Sequence, residues 1–111
     1  MQEPGLDKHE WETEWQGLEP LLADSPAEAL SEVDDLVARM MDARGFPLTD
    51  SPAETSSEPE TVREFEEAHR ITRLVEAGEA VDPGDVGVAV TAYRNLYRYL
   101  LEIGPASLGP A

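Results

Sequence analysis

Apolar side chains return at three- and four-residue steps in several stretches of this chain, the period of an amphipathic helix. The longest runs from Asp82 to Ile103. There Val86, Ala89, Val90, Tyr93, Leu96, Tyr97, Leu100 and Leu101 share one face, and Arg94, Arg98 and Glu102 form a polar stripe on another. Asp82 is placed to cap the first turn, and Pro83 sits where a missing N–H costs nothing. Val81 and Val86 have the spacing of a hydrophobic staple. Gly104-Pro105 is a stop signal. Gly84 and Gly87 weaken the early turns by about 1 kcal/mol each relative to alanine. A strand through Val86–Thr91 is the rival reading, because β-branched and small residues alternate there.

Ser25-Pro26-Ala27-Glu28 has the form of a capping box, with proline at the first helical position. The helix after it places Ala29, Leu30, Val33, Leu36, Val37, Met40 and Met41 on one face. Glu32, Asp34, Asp35, Arg39 and Asp42 take the other. Gly45 is the expected C-cap, and Pro47 blocks continuation. Ser57-Glu58-Pro59-Glu60 repeats the start signal. The next helix runs to about Ala77 with Val62, Phe65, Ala68, His69, Ile71, Thr72 and Val75 inward, and Gly78 ends it. A link as short as the one that follows forces the last two helices into an antiparallel hairpin.

Trp11, Trp15, Leu18 and Leu22 also fit one helical face. Gly17 and Pro20 oppose it, since the proline ring clashes with the carbonyl four residues back. A short helix that breaks or kinks near Glu19 is the expectation. The predicted fold class is all-α: a small three- to four-helix bundle occupying residues 10–103. Its C-terminal hairpin forms the base, the second helix packs across it, and the Trp helix covers it. Residues 1–9 and 104–111 read as disordered tails, and residues 49–57 as an acidic flexible linker.

Charge changes this picture more than composition does. The 111 residues include 24 acids and 8 bases, a net charge of −16. Residues 1–59 carry −12 and residues 60–111 carry −4. Such a field repels nucleic acid and anionic membrane and favours basic partners, although an acidic surface also serves plain solubility. There is no cysteine, hence no disulfide or thiolate chemistry. The first residues lack the apolar core of a signal peptide, and no run approaches the roughly 20 apolar residues of a membrane span. A cytoplasmic protein is expected.

Candidate chemistry is sparse. His69 lies in a helix near Glu66 and Arg73, where it could donate a proton or bind a metal. A lone histidine on an inward face is more simply a packed, hydrogen-bonded one. His9 lies beside Glu10 and Glu12 in the N-terminal tail, without ligands of fixed geometry. The adjacent pairs Asp34-Asp35 and Glu66-Glu67 diverge on a helix and cannot converge on one atom. Glu66-Glu67-Ala68-His69 supplies one Glu-x-x-His motif, where a two-metal bundle needs two. No nucleophile elbow, phosphate-binding loop or zinc spacing is present. No catalytic, cofactor-binding or metal residue is therefore expected, and no cofactor.

Trp11, Trp15, Arg94, Arg98 and Tyr99 are the candidate partner-binding residues, being of the types enriched at interface hot spots. The partner expected is a protein, basic in character, or a second copy in a homodimer. Direct contact with nucleic acid or membrane is not expected. The functional expectation is a non-enzymatic interaction or regulatory module. The alternative is an acidic decoy that occupies the basic nucleic-acid-binding surface of a partner.

Taken in order, Trp15-Gln16, Asp24-Ser25-Pro26, Val33-Asp34-Asp35-Leu36-Val37, Arg44-Gly45-Phe46-Pro47, Ala68-His69-Arg70-Ile71, Gly78-Glu79-Ala80 and Tyr93-Arg94-Asn95-Leu96-Tyr97-Arg98-Tyr99-Leu100-Leu101 carry a resemblance. The chain resembles an uncharacterised family of small helical proteins common in actinobacteria and other high-GC bacteria. It differs at Pro20, Gly84 and Gly87, where the family usually has helix formers. The resemblance implies a helical fold and supplies no activity and no functional residues.

Overall fold

Four prolines open four helices. The computed structural model describes residues 4–44 and 59–103. In it α1 spans Pro4–Asp24, α2 Pro26–Ala43, α3 Pro59–Glu76 and α4 Pro83–Ile103. A proline at the first helical position has its φ pre-set and loses an N–H that had no acceptor. Residues 86–91 lie inside α4, and no strand occurs among the described residues. The all-α expectation is met. The linker 49–57, Gly45 and the tail 104–111 fall outside the described residues.

Two local signals work differently from their sequence pattern. Ser25 occupies the cap position of α2, but its side chain makes no capping bond. Its hydroxyl donates to Asp24 at 3.3 Å instead. Its N–H still completes α1 by donating to the Leu21 carbonyl at 2.7 Å, and its carbonyl accepts from Ala29 at 3.0 Å. Ser25 alone therefore separates the two helices. At the end of α3, Gly78 has φ +79°. The Glu79 N–H reaches the Leu74 carbonyl and the Gly78 N–H the Val75 carbonyl, both at 3.0 Å, which is a Schellman closure. A side chain at Gly78 would strain that turn.

The expected break near Glu19 does not occur, and the helix already begins at Pro4, inside the stretch 1–9 that reads as a tail. α1 is continuous from Pro4 through Pro20 to Asp24. Gln16, Gly17 and Pro20 all lie on its exposed side. The carbonyl that Pro20 deprives of a donor can therefore be hydrated. On the other side Trp15 and Leu22 are buried and Trp11, Leu18 and Leu21 pack against the core. Burial of that face outweighs the local penalty. Gly17 has open space around the position of a Cβ. Gly17→Ala should therefore stabilise the chain by about 0.5–1 kcal/mol, read as a higher denaturation midpoint by circular dichroism.

Contacts fix the helix directions. Arg39 of α2 meets Glu14 of α1 back across the Ser25 junction; Ser31 of α2 meets Glu76 of α3 while Asp34 meets His69; and Thr72 of α3 meets Tyr93 of α4 while Glu60 lies by Tyr99. Each sequential pair runs antiparallel. α2 and α4 are therefore parallel, and they pack against each other through the centre, with α1 on one flank and α3 on the other. All seven apolar residues expected on the inner face of α2 are buried. They meet Val62, Phe65, Ala68 and Ile71 of α3 and Val86, Ala89, Tyr93, Leu96, Tyr97 and Leu100 of α4.

Candidate functional site

The first cluster of interest joins three helices in the interior. Asp34, expected on the solvent face of α2, is mostly buried, its side chain 14% exposed. Its Oδ2 accepts from the Tyr93 hydroxyl of α4 at 2.5 Å and lies 2.8 Å from His69 Nδ1 of α3. Tyr93 Oη is also 2.7 Å from Thr72 Oγ1, which in turn donates to the Ala68 carbonyl at 3.0 Å. With Tyr93 donating to Asp34, the single Thr72 hydroxyl proton is shared between Ala68 and Tyr93. His69 stacks on Phe65 with ring centroids 5.4 Å apart. No signal in the sequence separates Asp34 from Asp35. Its role becomes visible only when Tyr93 and His69 arrive from other helices.

A carboxylate on imidazole Nδ1 is the arrangement that orients a catalytic base. Here that oxygen also holds a buried phenol, and the grooves described below are lined by residues other than His69. Burial first, and the Asp34 bond second, push the Tyr93 hydroxyl far above the ordinary tyrosine range. It remains a neutral donor at physiological pH. The cluster is best read as a tie between α2, α3 and α4.

That shift has a pH consequence. A group whose pKa is raised by folding contributes stability that is complete below its unfolded pKa, near 10 for tyrosine, and declines as pH rises beyond it. Tyr97 is displaced in the same direction, chiefly by burial and then by Glu12 and Glu19. Denaturation midpoints should therefore fall above about pH 10. The fall should be shallower in Tyr93→Phe, with a remainder from Tyr97. A Tyr93→Phe profile superimposable on the parent's would contradict the assignment.

The second cluster lies between α1 and α4 and uses two of the five residues expected to face a partner, Trp15 and Arg94. Trp15 is buried and stacks on Tyr97, centroids 4.3 Å apart and planes within 10°. Its Nε1 donates to Glu19 Oε2 at 2.5 Å, and Arg94 reaches the same oxygen at 3.1 Å. The Arg94 guanidinium also lies 5.7 Å from the Trp15 ring centre. Trp15 thus serves the chain's own packing and presents no surface in the folded chain. Trp11 is half-buried beneath Arg39 at 5.9 Å, where Arg39 also bonds Glu14 and Asp35. Arg98 and Tyr99 are exposed, as a partner surface requires. Sequence patterning also missed Arg44. It is buried and donates from Nε to the Leu100 carbonyl at 2.8 Å, joining the end of α2 to the last turn of α4.

The outer side of the α3–α4 hairpin is unlike either cluster. A groove of about 600 Å³ runs between Glu64 and Glu67 of α3 and Gly84, Gly87, Val88 and Thr91 of α4. A smaller depression continues from Glu64 and Asn95 to Glu60 and Tyr99. Val88 is 55% exposed and Tyr99 38% exposed, unusual for large apolar side chains here. A further groove, about 670 Å³, adjoins the first across Gly87 and Thr91 of α4 and lies against the start of α2.

Among the described residues no group of three or more His, Asp or Glu side chains is placed to hold a metal ion. No described helix is long and apolar enough to cross a membrane. Comparison of the chain with protein-family models, curated proteins and solved structures gives no match.

Proposed function

We propose that this chain is a non-enzymatic, acidic protein-interaction module whose binding face is the outer α3–α4 groove. One observation carries the reading. The exposed Val88 and Tyr99 border two adjoining depressions that share Glu64 and Asn95 and are edged by carboxylates. Exposed apolar side chains gathered along a concave surface are a mark of interaction sites. The family resemblance adds a helical fold and no activity.

The test is cross-linked affinity capture from the native organism with the parent and a Val88→Asp variant, whose fold is checked by circular dichroism. The parent should yield partners cross-linked to α4 that the variant loses. Identical capture by both proteins would remove the groove from the proposal. The decoy reading rests on the −12 carried by residues 1–59. It requires binding that collapses with added salt and ignores Val88, because exposed charges are screened.

A further inference from the structure

Resting on that reading, we infer that the occupant of the α3–α4 groove is a short cationic amphipathic helix belonging to a protein partner. The first argument is shape. Helices pack with axes about 8–10 Å apart, and the nearer approach needs small side chains at the contact. The outer face of α4 supplies them at Gly84, Gly87 and Thr91, and space is open above both glycines. The surface runs from Gly84 to Tyr99. At 1.5 Å per residue that is roughly 22 Å, the length of about four helical turns. α2 already covers the inner side of the same hairpin. A helix laid on the outer side would repeat that packing, with its apolar stripe on Val88 and Tyr99.

The second argument is charge. Glu60, Glu64 and Glu67 fall at four- and three-residue steps and make one row along the α3 edge of the groove. Glu67 is paired with Arg70 at 2.6 Å, so Glu60 and Glu64 carry most of the field at the rim. The α4 floor between Val86 and Tyr93 has no charged residue. An apolar stripe flanked by lysine or arginine on the edge facing α3 matches both surfaces. A second copy of this chain fits less well, because it brings a further −16 to the contact.

The experiment titrates the full ¹⁵N-labelled chain with four helical peptides of about four turns. One has a leucine stripe and lysines, one the same lysines and leucines scrambled, and two keep the stripe with glutamate or with glutamine. The lysine amphipath should shift the amides of Gly84, Gly87, Val88, Thr91 and Asn95. It should bind more tightly than its scrambled form. Val88→Asp should weaken it at least about tenfold, the worth of a buried valine. Glu60→Gln with Glu64→Gln should weaken it between about two- and thirtyfold, the worth of two exposed charge pairs. If the glutamine or glutamate amphipath binds the groove as tightly, the interaction face stands and the cationic partner is overturned. If the scrambled peptide binds equally, or the shifts fall outside the groove, the inference fails as mere charge attraction. If none of the peptides binds, the inference fails while the cross-linking result still decides the wider reading.

Discussion

Trp15→Ala should destabilise the chain by about 3–5 kcal/mol, a large share of the roughly 5–15 kcal/mol available to a domain of this size. The indole is buried on α1, stacks on Tyr97 of α4, bonds Glu19 and lies beside the Arg94 guanidinium. Its removal leaves a cavity and strips the α1–α4 seam of its central aromatic. Equilibrium denaturation followed by circular dichroism measures the loss. Trp15→Phe, which keeps a ring for stacking and gives up the Glu19 bond, should lose clearly less. A cost for Trp15→Ala below about 1 kcal/mol would mean that α1 is held almost wholly by α2.

The second large effect concerns the interior tie. Asp34→Ala should cost about 1–3 kcal/mol, because the fully buried Tyr93 hydroxyl is left with only Thr72 beside it. As the structure stands, no buried side-chain nitrogen or oxygen among the described residues is without a partner. Tyr93→Phe removes the donor and leaves Asp34 facing His69. The double variant should therefore be less damaged than the sum of the two, with a coupling of about 0.5–3 kcal/mol from a double-mutant cycle. Strict additivity would show that the Asp34–Tyr93 bond contributes nothing to folding.

These two sites show where sequence reading succeeds and where it stops. The inner face of α2 was legible in full, since Ala29, Leu30, Val33, Leu36, Val37, Met40 and Met41 repeat at helical steps with no competing signal. So were the proline-led starts of α2, α3 and α4 and the glycine turn at Gly78, because these are local chemistry; the start of α1 at Pro4 was not, since it falls in the stretch that reads as a tail. Trp15 stands out in the sequence, but its destination does not. A tryptophan suits a core or an interface equally, and only the arrival of Tyr97 decides. By its charge Asp34 belongs on the solvent face, as single-residue polarity requires. Its burial depends on a phenol and an imidazole supplied by two other helices. Pro20 shows its local cost in the sequence, but the compensating burial of Trp15 and Leu22 does not show there. The outer groove lies further still from sequence, since it is the space that Gly84 and Gly87 leave beside residues of α3.

The one-residue junction at Ser25 limits how two copies of this chain could trade parts. Reciprocal exchange of α1 alone would require α1 and α2 to straighten into a single rod. A residue preceding proline disfavours the helical conformation that such a rod needs, and Ser25 holds φ −141°. Domain swapping in this bundle would have to carry the first hairpin across as one block, leaving α3 and α4 behind.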